Sequence, residues 1–128
     1  MQYEYFYGAQ AEQFSFYRIP KALFTEPNFR ELSTDAKVLY GILLDRMSLS
    51  LKNQWIDAQN KVYIIFTVDE IMDALNCANQ KATRLMVELE KQAGLIERKR
   101  QGLGRPNLIY VKNFAATING KSCEKADS

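Results

Sequence analysis

The chain contains no histidine. That removes the usual general base, the commonest metal ligand and the partner of most nucleophilic serines and cysteines. It also excludes DNA-cutting enzymes of the rolling-circle type, whose tyrosine works beside a histidine-bound metal. Only two cysteines are present, Cys77 and Cys123. Two isolated cysteines in a chain of intracellular character read as free thiols, not as a structural disulfide. Long apolar runs are missing as well: stretches such as Val62 to Phe66 fall far short of the roughly 20 residues a membrane helix needs. The start, Met1 to Tyr7, is aromatic and acidic, unlike a signal peptide. No cofactor, metal or catalytic group is expected, and the composition points to a cytoplasmic protein.

What is present suits one domain. The 128 residues are 47% hydrophobic and 25% charged, enough to form a core without metal or disulfide help. The net charge of +2 is uninformative, but its distribution is not. Between Asn79 and Lys112 stand eight basic residues and three acidic ones, a net of +5, which leaves −3 on the rest. A basic quarter on an acidic body is the pattern of a face that binds a polyanion.

Periodicity supplies an element order. The segment Phe14-Ser15-Phe16-Tyr17-Arg18-Ile19 alternates as a strand does, and Pro20 ends it. Lys21 to Thr25 suits a single helical turn, with Pro27-Asn28 as loop. Ser33 is a good helix cap, and after it Ala36, Leu39, Tyr40, Leu43 and Met47 share one face of a central helix. Trp55 to Asp57 and Val62 to Phe66 flank polar residues and read as a hairpin. Thr67-Val68-Asp69-Glu70 is a capping box opening a helix that stops near Asn76. Asn79 is positioned to cap a further helix reaching Lys91 or Gln92, with Gly94 at its end. Leu95 to Gln101 and Asn107 to Val111 read as strands joined by Gly102-Leu103-Gly104-Arg105-Pro106. The fold class that results is α+β: a winged helix-turn-helix with an additional N-terminal strand or arm. It occupies residues 1–118, with residues 119–128 as a polar tail or linker. The short connection between the two helices is the strongest local sign, because it makes them cross steeply.

Two constellations carry chemistry. On the helix from Asn79, a rotation of about 100° per residue puts Ala82, Leu85, Met86 and Leu89 on the core face. Gln80, Arg84, Val87 and Lys91 then point outward, with Lys81 and Thr83 at the margins. Arginine and glutamine offer donor and acceptor patterns matching guanine and adenine edges, so Asn79, Gln80, Lys81, Thr83 and Arg84 are the candidate recognition-helix residues. Arg98, Lys99, Arg100 and Arg105 crowd the wing, where cations reach phosphates or a narrow minor groove. Charge on an edge strand also protects against aggregation, and an exposed polar helix needs no ligand. Asp69, Glu70 and Asp73 sit in the first turns of a helix, where carboxylates complement the helix dipole. That accounts for them better than a metal does. The aromatic arm at Tyr3, Tyr5, Phe6 and Tyr7 reads as core cover or a contact with a second protomer, ahead of base stacking.

Two early stretches are more particular than a generic winged helix. Residues 14–24, Phe14-Ser15-Phe16-Tyr17-Arg18-Ile19-Pro20-Lys21-Ala22-Leu23-Phe24, resemble the opening signature of RepA_N plasmid replication initiators. Leu32-Ser33-Thr34-Asp35-Ala36-Lys37-Val38-Leu39-Tyr40-Gly41-Ile42-Leu43-Leu44-Asp45-Arg46-Met47 does too. Trp55, the Val62 to Ile71 segment, and Ala93-Gly94-Leu95-Ile96 ahead of a basic wing with Gly104-Arg105-Pro106 extend the likeness from about Tyr5 to Phe114. The resemblance implies a DNA-binding domain that recognises repeats in a plasmid origin, commonly inside the initiator's own gene. It implies theta-type replication, a homodimer on double-stranded DNA, and a separate C-terminal domain, absent from this chain, that engages host replication proteins. A transcriptional regulator binding a promoter, or a winged helix serving as a protein-interaction module, shares the same residues.

Overall fold

The computed structural model describes residues 2–8 and 14–115. The expected tail at residues 119–128, and Cys123 with it, lies outside the described residues.

Helix α1 (Ala22–Thr25) is the single turn expected after Pro20, and it buries Leu23. Pro27-Asn28, read as loop, instead belongs to a 3-10 turn, Pro27–Phe29, with proline at its first position, that buries Phe29. Ser33 caps α2 (Thr34–Met47), accepting a hydrogen bond from the Ala36 amide. The buried Ala36, Leu39, Tyr40 and Leu43 make α2 the central helix. Thr67 and Glu70 form both halves of the capping box opening α3 (Val68–Leu75). Asn76 ends α3 in the left-handed region at φ 53°, a conformation asparagine tolerates better than most residues. Cys77 and Ala78 complete the connection to α4 (Asn79–Val87).

The chain then continues as a single π-helical turn, Glu88–Gln92, and leaves it through Gly94 at φ +67°. Ala82, Leu85, Met86 and Leu89 are all buried, as the helical spacing required.

The sheet differs from expectation. Trp55 to Asp57 and Val62 to Phe66 pair as a hairpin, but only a short one: the antiparallel bridge Ile56 to Val62 is flanked by Tyr63 N–H donating to the Trp55 carbonyl and Asp57 N–H donating to the Lys61 carbonyl, each at 3.0 Å. Ile64–Ile65 (β1) instead pairs with Leu108–Val111 (β3), which pairs with Ile96–Lys99 (β2), all antiparallel, in the order β1-β3-β2. A two-stranded hairpin is marginal alone, whereas on the edge of the wing Ile64 is fully buried against α2 and β3. Phe14 to Ile19 likewise joins no strand ladder. It passes over α2 where Gly41 leaves room, and Ile19 packs on the core.

Three ties hold the rear of the domain. The Tyr40 hydroxyl donates to the Lys112 carbonyl at 2.7 Å, and burial pushes its pKa up to about 12, so it stays a donor. Phe114 packs edge-on against Phe29 at 5.1 Å and tilted against Tyr40 at 5.8 Å. Arg46 reaches from α2 to the Ile65 carbonyl and to Glu70 of α3, lying over the Phe66 ring.

Candidate nucleic-acid interface

The outward side of α4 is a row of exposed side chains: Asn79, Gln80, Thr83, Arg84 and Val87. The same amphipathic spacing that buries Leu85 directs Arg84 to solvent. Asn79 does not cap the helix. Ala78 holds the cap position with extended backbone and offers no side-chain acceptor. The first amides of α4 therefore have no side-chain cap, an arrangement suited to an anion. Asn79 instead accepts a long hydrogen bond from the Thr83 hydroxyl, at 3.5 Å. Lys81 is turned to the side and paired with Asp35 at the start of α2, at 2.8 Å. Of the five helix residues singled out by sequence, Gln80, Thr83 and Arg84 stand together on the open face, with Asn79 at its edge. Lys81 is engaged with α2.

The wing divides its four cations. Arg98 points inward: its Nε and Nη2 bond one carboxylate oxygen of Glu90 at 3.0 and 2.7 Å. The Arg98 amide donates to the other oxygen at 3.2 Å. Those bonds hold the Glu90 carboxyl below its ordinary pKa, with the Arg98 side chain the largest cause and burial opposing it. Lys99, Arg100 and Arg105 are exposed and form no ion pair among the described residues. Strand alternation alone would put Arg98 and Arg100 on one face. Arg98 shares the inward face with the buried Ile96, whereas Arg100 lies past the end of β2.

The tip is wider than the five residues expected, since the ladder stops at Lys99 and resumes at Leu108. Gly102 and Gly104 sit at φ +114° and +78°, which only glycine adopts without strain. The Gln101 side chain closes the loop on the Pro106 carbonyl at 2.8 Å. Leu103, between the glycines, is fully exposed.

Two further residues belong to this face beyond the candidates. Val87, which the helical spacing already directed outward, continues the exposed row three positions after Arg84, and Leu103 leads the tip. Neither marked itself as a contact in the sequence, because lone exposed apolar residues are common. Of the acids of α3, Glu70 is engaged in the cap and with α2: it accepts from the Thr67 amide at 2.9 Å and pairs with Arg46 at 2.5 Å. Nor does the arm cover the core, for Tyr3, Tyr5, Phe6 and Tyr7 are all exposed.

A helix-turn-helix followed at once by a basic two-stranded wing, which a strand from before α3 completes to a three-stranded sheet, is a winged helix. Residues 15–125 match the family described as the replication initiator protein A (RepA) N-terminus. The chain belongs to this family. A "41 kDa protein" of Lactobacillus helveticus is 34% identical over 103 residues, which is 80% of this chain and 28% of that protein. The chain thus spans little more than a quarter of that relative's length.

Solved structures agree in fold. One titled "N-Terminal domain of DNA binding protein" superposes with a TM-score of 0.72 at 35% identity, covering 99% of this chain and 98% of that one. Another, "Structure of Rep-DNA complex", gives 0.72 at 38% identity over 86% of this chain and 84% of the other. "Structure of MDR initiator" gives 0.68 at 38% identity over 93% and 98%. No helix among the described residues is long and apolar enough to cross a membrane.

Proposed function

We propose that this domain binds double-stranded DNA sequence-specifically, at repeats in a plasmid replication origin, and starts theta-type replication as part of a longer initiator. The observation that carries the reading is the pairing of an open recognition face, Gln80, Thr83 and Arg84, with a wing whose Lys99, Arg100 and Arg105 have no ion-pair partner among the described residues. The family match and the related Rep–DNA complex support it. Asn79 and the open amides of α4 would hold a phosphate at the entry of the helix, and Lys99, Arg100 and Arg105 would hold the backbone or minor groove. The domain performs no chemistry on the DNA. It binds as a homodimer, with the exposed aromatic arm as the protomer contact, and a C-terminal domain recruits host replication proteins.

Footprinting on the parent plasmid, including the initiator's own coding region, tests this. Protection of direct repeats supports the origin reading. Protection confined to a promoter favours a transcriptional regulator, and no protection at all favours a protein-interaction module. On the protected site, Arg84→Ala should weaken binding by roughly 1–3 kcal/mol, with a smaller loss on random duplex. Equal losses would make Arg84 a phosphate contact.

A further inference from the structure

We propose that the Glu90–Arg98 pair is a positioning brace that locks the wing to the recognition helix, so that Arg98 serves DNA binding by geometry and not by touching DNA. The inference rests on the proposed function and assigns roles within the same interface.

Glu90 receives three hydrogen bonds from a single residue. Two come from the Arg98 guanidinium, and the third comes from the Arg98 backbone amide on β2. The carboxylate therefore holds the strand itself as well as the side chain. Among the described ion pairs this is the most shielded, its side chains 25% and 17% exposed against 43% and 53% for Lys81–Asp35. Shielding strengthens the attraction and makes separation costly, because parting would leave a half-buried carboxylate without its partner.

The location matters as much as the strength. Glu90 lies in the π-helical turn Glu88–Gln92, where α4 ends, and Arg98 lies in the first strand of the wing. Glu88, in the same turn, accepts from the Ser33 amide and, at 3.0 Å, from the Ser33 hydroxyl, fixing the turn to the start of α2. One turn thus anchors recognition helix, central helix and wing together. Two groups that must meet one duplex at once gain from a fixed mutual placement, since the ordering cost is already met before binding.

An Arg98 that contacted phosphate would have to leave Glu90, exposing that carboxylate to the phosphates. Lys99, Arg100 and Arg105 carry no such obligation.

The test is a double-mutant cycle on the footprinted duplex and a random duplex at several salt concentrations, with wild type, Glu90→Ala, Arg98→Ala and the double variant. Each single variant should bind the specific site about tenfold more weakly, a coupling typical of residues in one ion-pair network. The double should be no worse than the weaker single, and all should keep the wild-type salt slope. Arg100→Ala in parallel should flatten that slope by about 0.9. A slope flattened by about one unit in Arg98→Ala, with Glu90→Ala binding as tightly as wild type or tighter, overturns the brace and makes Arg98 a phosphate contact.

A DNA-free readout separates this from failure of the DNA reading itself, in which wild type would bind neither duplex. Spin labels at Thr83→Cys and Lys99→Cys, in a Cys77→Ser/Cys123→Ser background, should give a narrow distance distribution. Glu90→Ala should broaden it. So should Arg98→Lys, which keeps the charge but loses the guanidinium fork. An unbroadened distribution in both also overturns the proposal.

Discussion

Gly41 is where the N-terminal segment meets the central helix. A Cβ built there would stand 2.8 Å from Ile19 Cγ1 and 2.9 Å from the Arg18 carbonyl oxygen. Alanine is the better helix former by about 1 kcal/mol, yet the contact is with backbone on one side and a packed side chain on the other. Overpacking therefore wins, and Gly41→Ala should destabilise by roughly 1–3 kcal/mol. Thermal unfolding checks the sign: a rise in Tm would mean that the segment yields freely. Leu85 presents the opposite case. It is fully buried on the inner face of α4, so Leu85→Ala removes its packing and leaves a cavity, with an expected loss of roughly 2–5 kcal/mol. An unchanged denaturation midpoint would mean that α4 presents a different face.

At the scale of elements, two carboxylates join helices to their neighbours. Burial would raise the Glu70 pKa, but the Thr67 amide and hydroxyl and the Arg46 charge outweigh it, and the pKa is lowered. Glu90 is lowered too, chiefly by the Arg98 side chain. A carboxyl with a depressed folded-state pKa contributes stability above its unfolded value, near about 4.3 for glutamate. That contribution is lost as pH falls through the folded value. The domain should therefore lose stability as the medium is acidified below about pH 4.3, and more steeply than unperturbed carboxyls would produce. Glu70→Gln keeps a side chain able to complete the capping box but not the charge facing Arg46. It should be less stable at neutral pH and show a shallower acid decline. Chemical denaturation across the acid range measures both, and a decline as steep as that of wild type would remove Glu70 from the account.

For the molecule as a whole, the relevant quantity is the field presented to DNA. Arg100 and Arg105 flank the wing tip, both exposed and without an ion-pair partner among the described residues. Each phosphate neutralised on duplex DNA releases counterions and steepens the salt dependence of binding by about 0.9. If each arginine holds one phosphate, the double variant Arg100→Ala/Arg105→Ala should flatten the slope by about two units. Affinity should fall on specific and random duplexes alike, because phosphates carry no direct sequence information. A larger loss on sites with an A·T tract under the wing would place one of them in a narrow minor groove. Identical slopes and affinities for wild type and variant would confine DNA contact to α4.

Short-range features were legible from the residues because their physics is local. A helical period of apolar residues set the inward faces of α2 and α4, down to Ala82, Leu85, Met86 and Leu89. Ser33 and the Thr67–Glu70 box marked helix starts, since a cap needs only residues within one turn. The winged-helix order, the α3–α4 connection and the exposure of Gln80 and Arg84 followed from those. What tertiary structure decided was every choice between partners far apart in the chain. Val62 and Tyr63 fold back on Trp55 to Asp57 as the sequence suggested, but Ile64–Ile65 continues onto β3, because the wing offers a sheet edge and a buried face that a lone hairpin lacks. Phe14 to Ile19 has the alternation of a strand but no ladder to join. Arg98 and Arg100 are chemically identical and two positions apart, yet one meets Glu90 and the other meets solvent. Local preference names what each residue is able to do. Only the packing of α4 against the wing determines which carboxylate, or which phosphate, lies within reach.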